Sequence, residues 1–156
     1  MTGNRAALEA AMPAMLDHEG WWEGSYRDFD VDGTLLDERT VKTWCEFPDE
    51  GEWHYIQHNW ISWADGREAL FEFGGRLDGK RILWETERFK GYGWQTSEDT
   101  LMLRLDRLDV PAAYYIEMIS VAPDGQSRAR TWQWFKDGRP WKRTLCDEIR
   151  IEGIAK

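Results

Sequence analysis

Residues 63–87 read WADGREALFEFGGRLDGKRILWETE. Two Asp-Gly pairs, Asp65-Gly66 and Asp78-Gly79, stand thirteen residues apart, and apolar and polar residues alternate around them. An Asp-Gly pair supplies the positive φ that a tight hairpin turn demands, so a pair at each end of an alternating run marks one antiparallel strand between two turns. The same pair recurs at 32–33, 124–125 and 137–138. Five such signals in one chain predict an antiparallel meander.

Working outward, alternation predicts strands near 21–30, 35–47, 53–64, 67–77, 80–89, 92–95 with 100–106, 112–122, 127–136 and 140–152. Eight to ten sequential strands left as a flat sheet would expose two edges. Closing them into an up-and-down barrel removes the edges and encloses a ligand-sized volume. The expected fold is therefore an all-β antiparallel barrel. The stretch FKGYGWQTSED (89–99), with Gly91 and Gly93, predicts a corner or bulge. Only NRAALEAAMPAML (4–16) carries a helical pattern, with Asn4 as the expected N-cap and Pro13 breaking it into two short pieces. The expected organisation is one domain, a helical segment over 1–19 closing a barrel over 20–156.

The chain has 156 residues, enough for a core without metals or disulfides, and its 11 Trp, 6 Phe and 5 Tyr suit pleated surfaces or a ring-lined pocket. A formal charge of -9 is the wrong sign for neutralising phosphates, so neither nucleic acid nor an anionic membrane is an expected partner. Two cysteines in no metal-ligand spacing, and no secretory n- and h-region, point to the cytoplasm with reduced thiols. Cys45 reads as a small buried apolar residue and Cys146 as a surface thiol. No apolar run approaches the ~20 residues of a membrane-spanning helix.

GWWEG at 20–24 matches, through Gly20, Trp21 and Trp22, the G-x-W signature that opens the lipocalins. That resemblance implies a helical turn plugging one end of the barrel and an Arg of the last strand, Arg143 or Arg150, packed over the tryptophan. Roughly residues 20–150 resemble uncharacterised bacterial and cyanobacterial lipocalin-like proteins classed as domains of unknown function. The stretches that carry this are YIQHNWISWADGR (55–67), ETERFKGYGW (85–94) and RARTWQWFKDGRPWKRTL (128–145). The resemblance implies a calycin-type barrel with a pocket. The missing secretory signal, disulfide pattern and long C-terminal helix depart from the extracellular carriers.

Choosing the more apolar parity of each strand as interior gives the expected cavity wall. On the last strand that rule selects Trp141, Arg143, Leu145, Asp147, Ile149 and Ile151. On the others it selects Trp22, Gly24 and Tyr26; Arg39, Val41, Thr43, Cys45 and Phe47; Tyr55, Gln57, Asn59, Ile61 and Trp63; Ala69, Phe71, Phe73 and Leu77; and Leu101, Leu103 and Leu105. The expected ligand-binding residues are Tyr26, Arg39, Tyr55, Gln57, Asn59, Phe71, Phe73, Trp141, Arg143 and Asp147. Arg143 and Asp147 are open to two readings, a grip on an acidic ligand or an internal pair that satisfies itself.

His54 and His58, four apart on a strand, lie about 13 Å from each other and cannot share a metal; with the opposite strand parity a His would enter the cavity as an acid-base group. The absence of any His after His58 argues against a haem ligand there, and no cofactor or metal is expected. Glu85 and Glu87 read as a solvated face. The leading functional expectation is a barrel that binds a small hydrophobic or aromatic molecule, with a carboxylate among its expected features. The alternative is a cofactor-free isomerase, cyclase, hydratase or lyase using Tyr26, Asp147 or a cavity His. A third reading is a homo-oligomer or partner module displaying Trp44, Trp132 and Trp134 outward.

Overall fold

The structure, a computed structural model, describes residues 3–97 and 99–153; the ends of the two expected segments, 1–2 and 154–156, and position 98 lie outside the described residues. Helix α1 (Asn4–Ala11) and a 3-10 helix (Pro13–His18) precede ten strands. These are β1 (Gly20–Asp30), β2 (Leu35–Glu46), β3 (Tyr55–Ser62), β4 (Glu68–Asp78), β5 (Arg81–Glu85), β6 (Phe89–Gln95), β7 (Thr100–Arg107), β8 (Ala113–Val121), β9 (Ser127–Lys136) and β10 (Arg139–Ile151). Each strand pairs antiparallel with the next, and β10 pairs back onto β1, so the barrel is closed. Every Asp-Gly pair turns a hairpin, its glycine at φ between 61° and 93°.

Gly91 and Gly93 do not make a corner. They lie inside β6, which pairs with β5 and β7 in unbroken register. A Cβ on Gly91 would meet the Arg104 carbonyl, and one on Gly93 would meet the Trp84 ring at 2.9 Å. The glycines there admit close approach rather than a bend. The register shifts fall instead at Asp28/Phe29 and Pro140/Lys142.

The helical segment seals one end. Gly3, not Asn4, is the N-cap of α1, and the Asn4 side-chain amide instead donates to the carbonyls of Gly51 and Trp53, tying the helix to the β2–β3 loop. Leu8, Met12, Ala14 and Met15 join one buried cluster with Trp22, Ile82, Trp84 and the inward leucines of β7. Trp22 is fully buried and its indole N–H donates to the His18 carbonyl at 2.9 Å. Arg150, rather than Arg143, packs over that ring at 4.2 Å, while its guanidinium donates to the carbonyls of Asp17 and Gly125. No helix among the described residues is long and apolar enough to cross a membrane.

The expected parity of β10 is reversed. Thr144, Cys146 and Glu148 are buried in the barrel, whereas Arg143 and Asp147 are exposed, and Asp147 pairs with the outward Arg27 at 2.9 Å. Registration decides the matter: Thr144, Cys146 and Glu148 stand opposite Asp28, Tyr26 and Gly24 of β1 and opposite Trp132, Arg130 and Arg128 of β9. Residues directly opposite in antiparallel strands share a face. The interior accommodates polar side chains in ion pairs, and the outside carries Leu145 and Ile149, so counting apolar residues picks the wrong row. Trp132 and Trp134 consequently point inward and are buried, and Cys146 is a buried thiol.

Trp44 does lie outside, stacked with Trp21 and with His58. His58 is held there by Glu46 and Glu72 at 3.1 and 2.8 Å, and His54 Nδ1 accepts from the Leu77 N–H, so neither imidazole enters the barrel.

Candidate functional site

The interior beyond the sealed end is hollow. A cavity of about 340 Å³ opens among the hairpins opposite the helical segment, with Arg39, Trp63, Arg88 and Arg107 near its mouth. Its wall carries Ile61, Phe71, Phe73, Phe89, Tyr115, Trp132 and Trp134, and its polar lining includes Tyr26, Asp28, Gln57, Asn59, Arg130 and Thr144. A smaller chamber of about 50 Å³ lies deeper, against Met15, His18, Tyr55, Trp84 and Glu117; Gln57, Phe73, Tyr115 and Arg130 line both spaces.

Of the residues expected at the site, the structure brings Tyr26, Arg39, Gln57, Asn59, Phe71 and Phe73 to the large cavity and Tyr55 to the deep chamber. Trp141 packs edge-on behind Trp134 at 5.9 Å. Arg143 and Asp147 lie on the outer face of the barrel, away from the cavity.

The floor between the two spaces is a buried ion-pair ladder. Arg128 grips Glu148 through two hydrogen bonds of 2.8 and 3.1 Å, and Arg130 donates to Glu117 at 2.8 Å and to the Tyr26 hydroxyl at 3.0 Å. All four charged groups are nearly or wholly enclosed. Burial alone would raise the Glu148 carboxyl, but Arg128 and Arg130 hold it below its ordinary value; burial raises Glu117 in spite of Arg130. Tyr26 and Tyr115 are pushed well up by burial and keep their protons. His18 is held neutral by burial and by the cations of Arg128, Arg130 and Arg150.

At the mouth, Arg39 donates to Asp28 and Asp37 at 3.1 and 2.9 Å. Asp28 also accepts from Thr144 at 2.6 Å and stands 3.8 Å from Lys142. Arg107 binds Asp109 through two hydrogen bonds, and Arg88, 3.8 Å from the same carboxylate, lies over Phe71 at 3.8 Å. Four cations thus share three carboxylates around the opening. Burial, and then the charge of Arg107, depress the Arg88 guanidinium below its usual value. Among the described residues no group of three or more His, Cys, Asp or Glu is arranged to hold a metal ion.

The sequence matches no protein-family profile and no curated protein. The structure is similar to that of a protein of unknown function from the DUF3598 family of Nostoc punctiforme PCC 73102, at 16% identity and a TM-score of 0.64 over 88% of this chain. The chain spans 49% of that protein. It is also similar to the S-type phycobiliprotein lyase CpeS of Guillardia theta, at 12% identity and a TM-score of 0.65, over 90% of this chain and 92% of the other. The shared fold is a closed antiparallel β-barrel.

Within this barrel, strand alternation did not reveal Arg88, Arg107, Glu117, Arg128, Arg130 or Glu148 as site residues. A signal for part of this set was present. Arg128, Arg130, Trp132 and Trp134 occupy one parity of β9, and an interior row with two cations requires carboxylates opposite, which only the Glu148 parity of β10 supplies at the right register. Arg88 and Arg107 flank loops, where alternation gives no orientation.

Proposed function

We propose that the barrel binds one small, largely aromatic or hydrophobic molecule carrying an acidic group, inserted through the mouth with the acid toward Arg88 and Arg107. The observation that carries this reading is the cavity itself, a ring-lined space of about 340 Å³ with more cations than carboxylates at its opening, in a protein whose net charge is -9. A concave, mostly apolar site with a few convergent polar groups is the usual form of a small-molecule pocket. A positive mouth on an acidic protein concentrates field lines and draws an anion to that one place. Arg39 has both Asp28 and Asp37 and serves to fix the wall; Arg88 shares a carboxylate and has capacity to spare. Fold carries no activity with it, so the proposal rests on the cavity rather than on the likeness to a lyase.

Titration with 2-naphthoate and with its methyl ester, followed by tryptophan fluorescence, tests the reading, because Trp63, Trp132 and Trp134 line the cavity. The expected result is saturable quenching at one site, tighter for the acid, with Arg88→Gln weakening the acid several-fold and leaving the ester unchanged. Absence of saturable quenching by either compound overturns the pocket. Equal affinities that Arg88→Gln does not alter overturn the assignment of the acid to the mouth.

A further inference from the structure

The far wall of the cavity is crossed by a chain of hydrogen bonds that starts at a buried cation. Arg128 Nη1 donates to Cys45 Sγ at 3.7 Å, and Cys45 Sγ lies 3.4 Å from the Tyr55 hydroxyl. Tyr55 in turn donates to Gln57 Oε1, and Gln57 Nε2 donates to Asn59 Oδ1 at 3.0 Å. Thr43 donates a second hydrogen bond to the same Asn59 oxygen, also at 3.0 Å. Such a row could in principle run either way, since an amide can be turned over and a hydroxyl can rotate. In the structure it runs from Tyr55 to Asn59: the tyrosine proton goes to Gln57 Oε1, the Gln57 amide then offers N–H, and the Asn59 oxygen receives it. Arg128 engages one lone pair of the Cys45 sulfur and leaves the Cys45–Tyr55 contact open to either donor.

The end of the chain is left with one polarity. Asn59 is 7% exposed and lines the large cavity, its oxygen is engaged twice, and its Nδ2 has no partner among the described residues. Nor is that nitrogen sealed in protein, for the unpartnered side-chain atoms that are fully enclosed are His18 Nε2 and Trp84 Nε1. The hydroxyl of Tyr115 on the same cavity wall also lacks a partner among the described residues, and that of Tyr26 accepts from Arg130 and retains its own proton to give. The acceptors nearby each hold a hydrogen bond already: Gln57 Oε1 from Tyr55, Thr144 Oγ1 from Trp134, Asp28 from Thr144 and Arg39.

We propose that Asn59, held with its oxygen toward Gln57 and Thr43 and its Nδ2 toward the cavity, receives a hydrogen-bond-accepting oxygen at the buried end of the ligand, so that the molecule carries a carbonyl-type group at the end remote from its acid. This rests on the pocket reading above and adds the second end. A ligand donor set against Asn59 Nδ2 leaves N–H facing N–H, whereas an accepting oxygen satisfies a group that otherwise has nothing to bind. Tyr55 is a positioning residue: it touches no ligand in the large cavity, and its hydroxyl only holds the amides in one sense.

Three naphthoates of one shape make the test: 6-acetyl-2-naphthoate, its 6-isopropyl analogue and its 6-(1-aminoethyl) analogue. All keep the acid; the other end accepts, is inert, or donates. By fluorescence titration the acetyl compound should bind several-fold more tightly than the isopropyl one and at least tenfold more tightly than the amine. Asn59→Leu, checked for folding by its melting temperature, should abolish the advantage of acetyl over isopropyl. Tyr55→Phe, which removes one hydroxyl and keeps the ring, should shrink the acetyl-to-amine ratio by freeing both amides to turn. If Asn59→Leu does not fold, the wild-type order and the Tyr55→Phe ratio decide. An amine that binds as well as the ketone, or a Tyr55→Phe protein with an unchanged ratio, overturns the donor assignment and leaves the pocket standing. Failure of all three naphthoates to bind overturns both.

Discussion

His18 should make this barrel lose stability as the medium turns mildly acidic, by an amount that its surroundings fix. Its imidazole is buried under the sealed end, its Nδ1 stands 3.1 Å from Arg128 Nη1, and Arg130 and Arg150 add further positive potential. Arg128 can only donate, so Nδ1 must be the bare nitrogen, and a second proton on the ring would meet burial first and then the charges of Arg128, Arg130 and Arg150. The folded value therefore lies well below the ordinary one of about 6.5, and the unfolded chain takes up the proton first. Stability is then fully present above about pH 6.5 and falls as the pH drops toward the folded value, at about 1.4 kcal/mol per pH unit for one proton. The fall flattens once the pH passes the folded value. Urea unfolding at half-unit steps across this range, for wild type and for His18→Gln, isolates the contribution. A glutamine offers an amide oxygen to Arg128 and does not titrate, so the two curves should differ in slope by one proton whatever their offset. Parallel pH profiles for the two proteins would refute the reasoning.

Trp22→Ala should cost about 3–5 kcal/mol, the usual range for emptying a buried aromatic site, and should show as a large fall in melting temperature, since this ring joins the helical segment to the barrel. Arg128→Met should cost a similar 3–5 kcal/mol by stranding Glu148, which is 1% exposed; a melting temperature near wild type would show that Glu148 finds another partner. Arg143→Met, on the outer face, should change stability by no more than about 0.5 kcal/mol and leave naphthoate affinity unaltered, as titration and melting together would show.

The architecture was legible because the turns are written in residues with no close substitute: the Asp-Gly pairs announce five hairpins, and alternation between them locates strands to within a few residues. The short N-terminal helix was legible from the run 4–16 and its break at Pro13. Orientation was legible where one face is frankly apolar, as in β4 with Phe71 and Phe73 or β7 with its leucines. It failed in β10, where the buried row is Thr144, Cys146 and Glu148, because hydrophobicity registers a charge as exposed even when a neighbouring strand neutralises it. Ion pairs between β9 and β10 are properties of a register, and register exists only after the strands have met. For the same reason the way the Asn59 amide faces could not be read from the residue itself: an amide has two ends, and its oxygen is engaged by Gln57 and by Thr43 of the neighbouring strand.

The closure of β10 onto β1 also sets the order in which this protein can be built. Trp22 faces Arg150 across that seam, and the partners on either side of it come from opposite ends of the chain. Every other strand pairing joins neighbours in sequence and can form as the chain emerges from the ribosome; this one must wait for β10. Until then β1 and the last strand made present bare ladder edges, the hydrogen-bonding template on which chains aggregate. Loop closure over nearly the whole chain is the slowest contact in such a topology, so the seam should be the last pairing gained in refolding. A polypeptide cut short before β10 would retain nine strands able to pair and no means of hiding their ends.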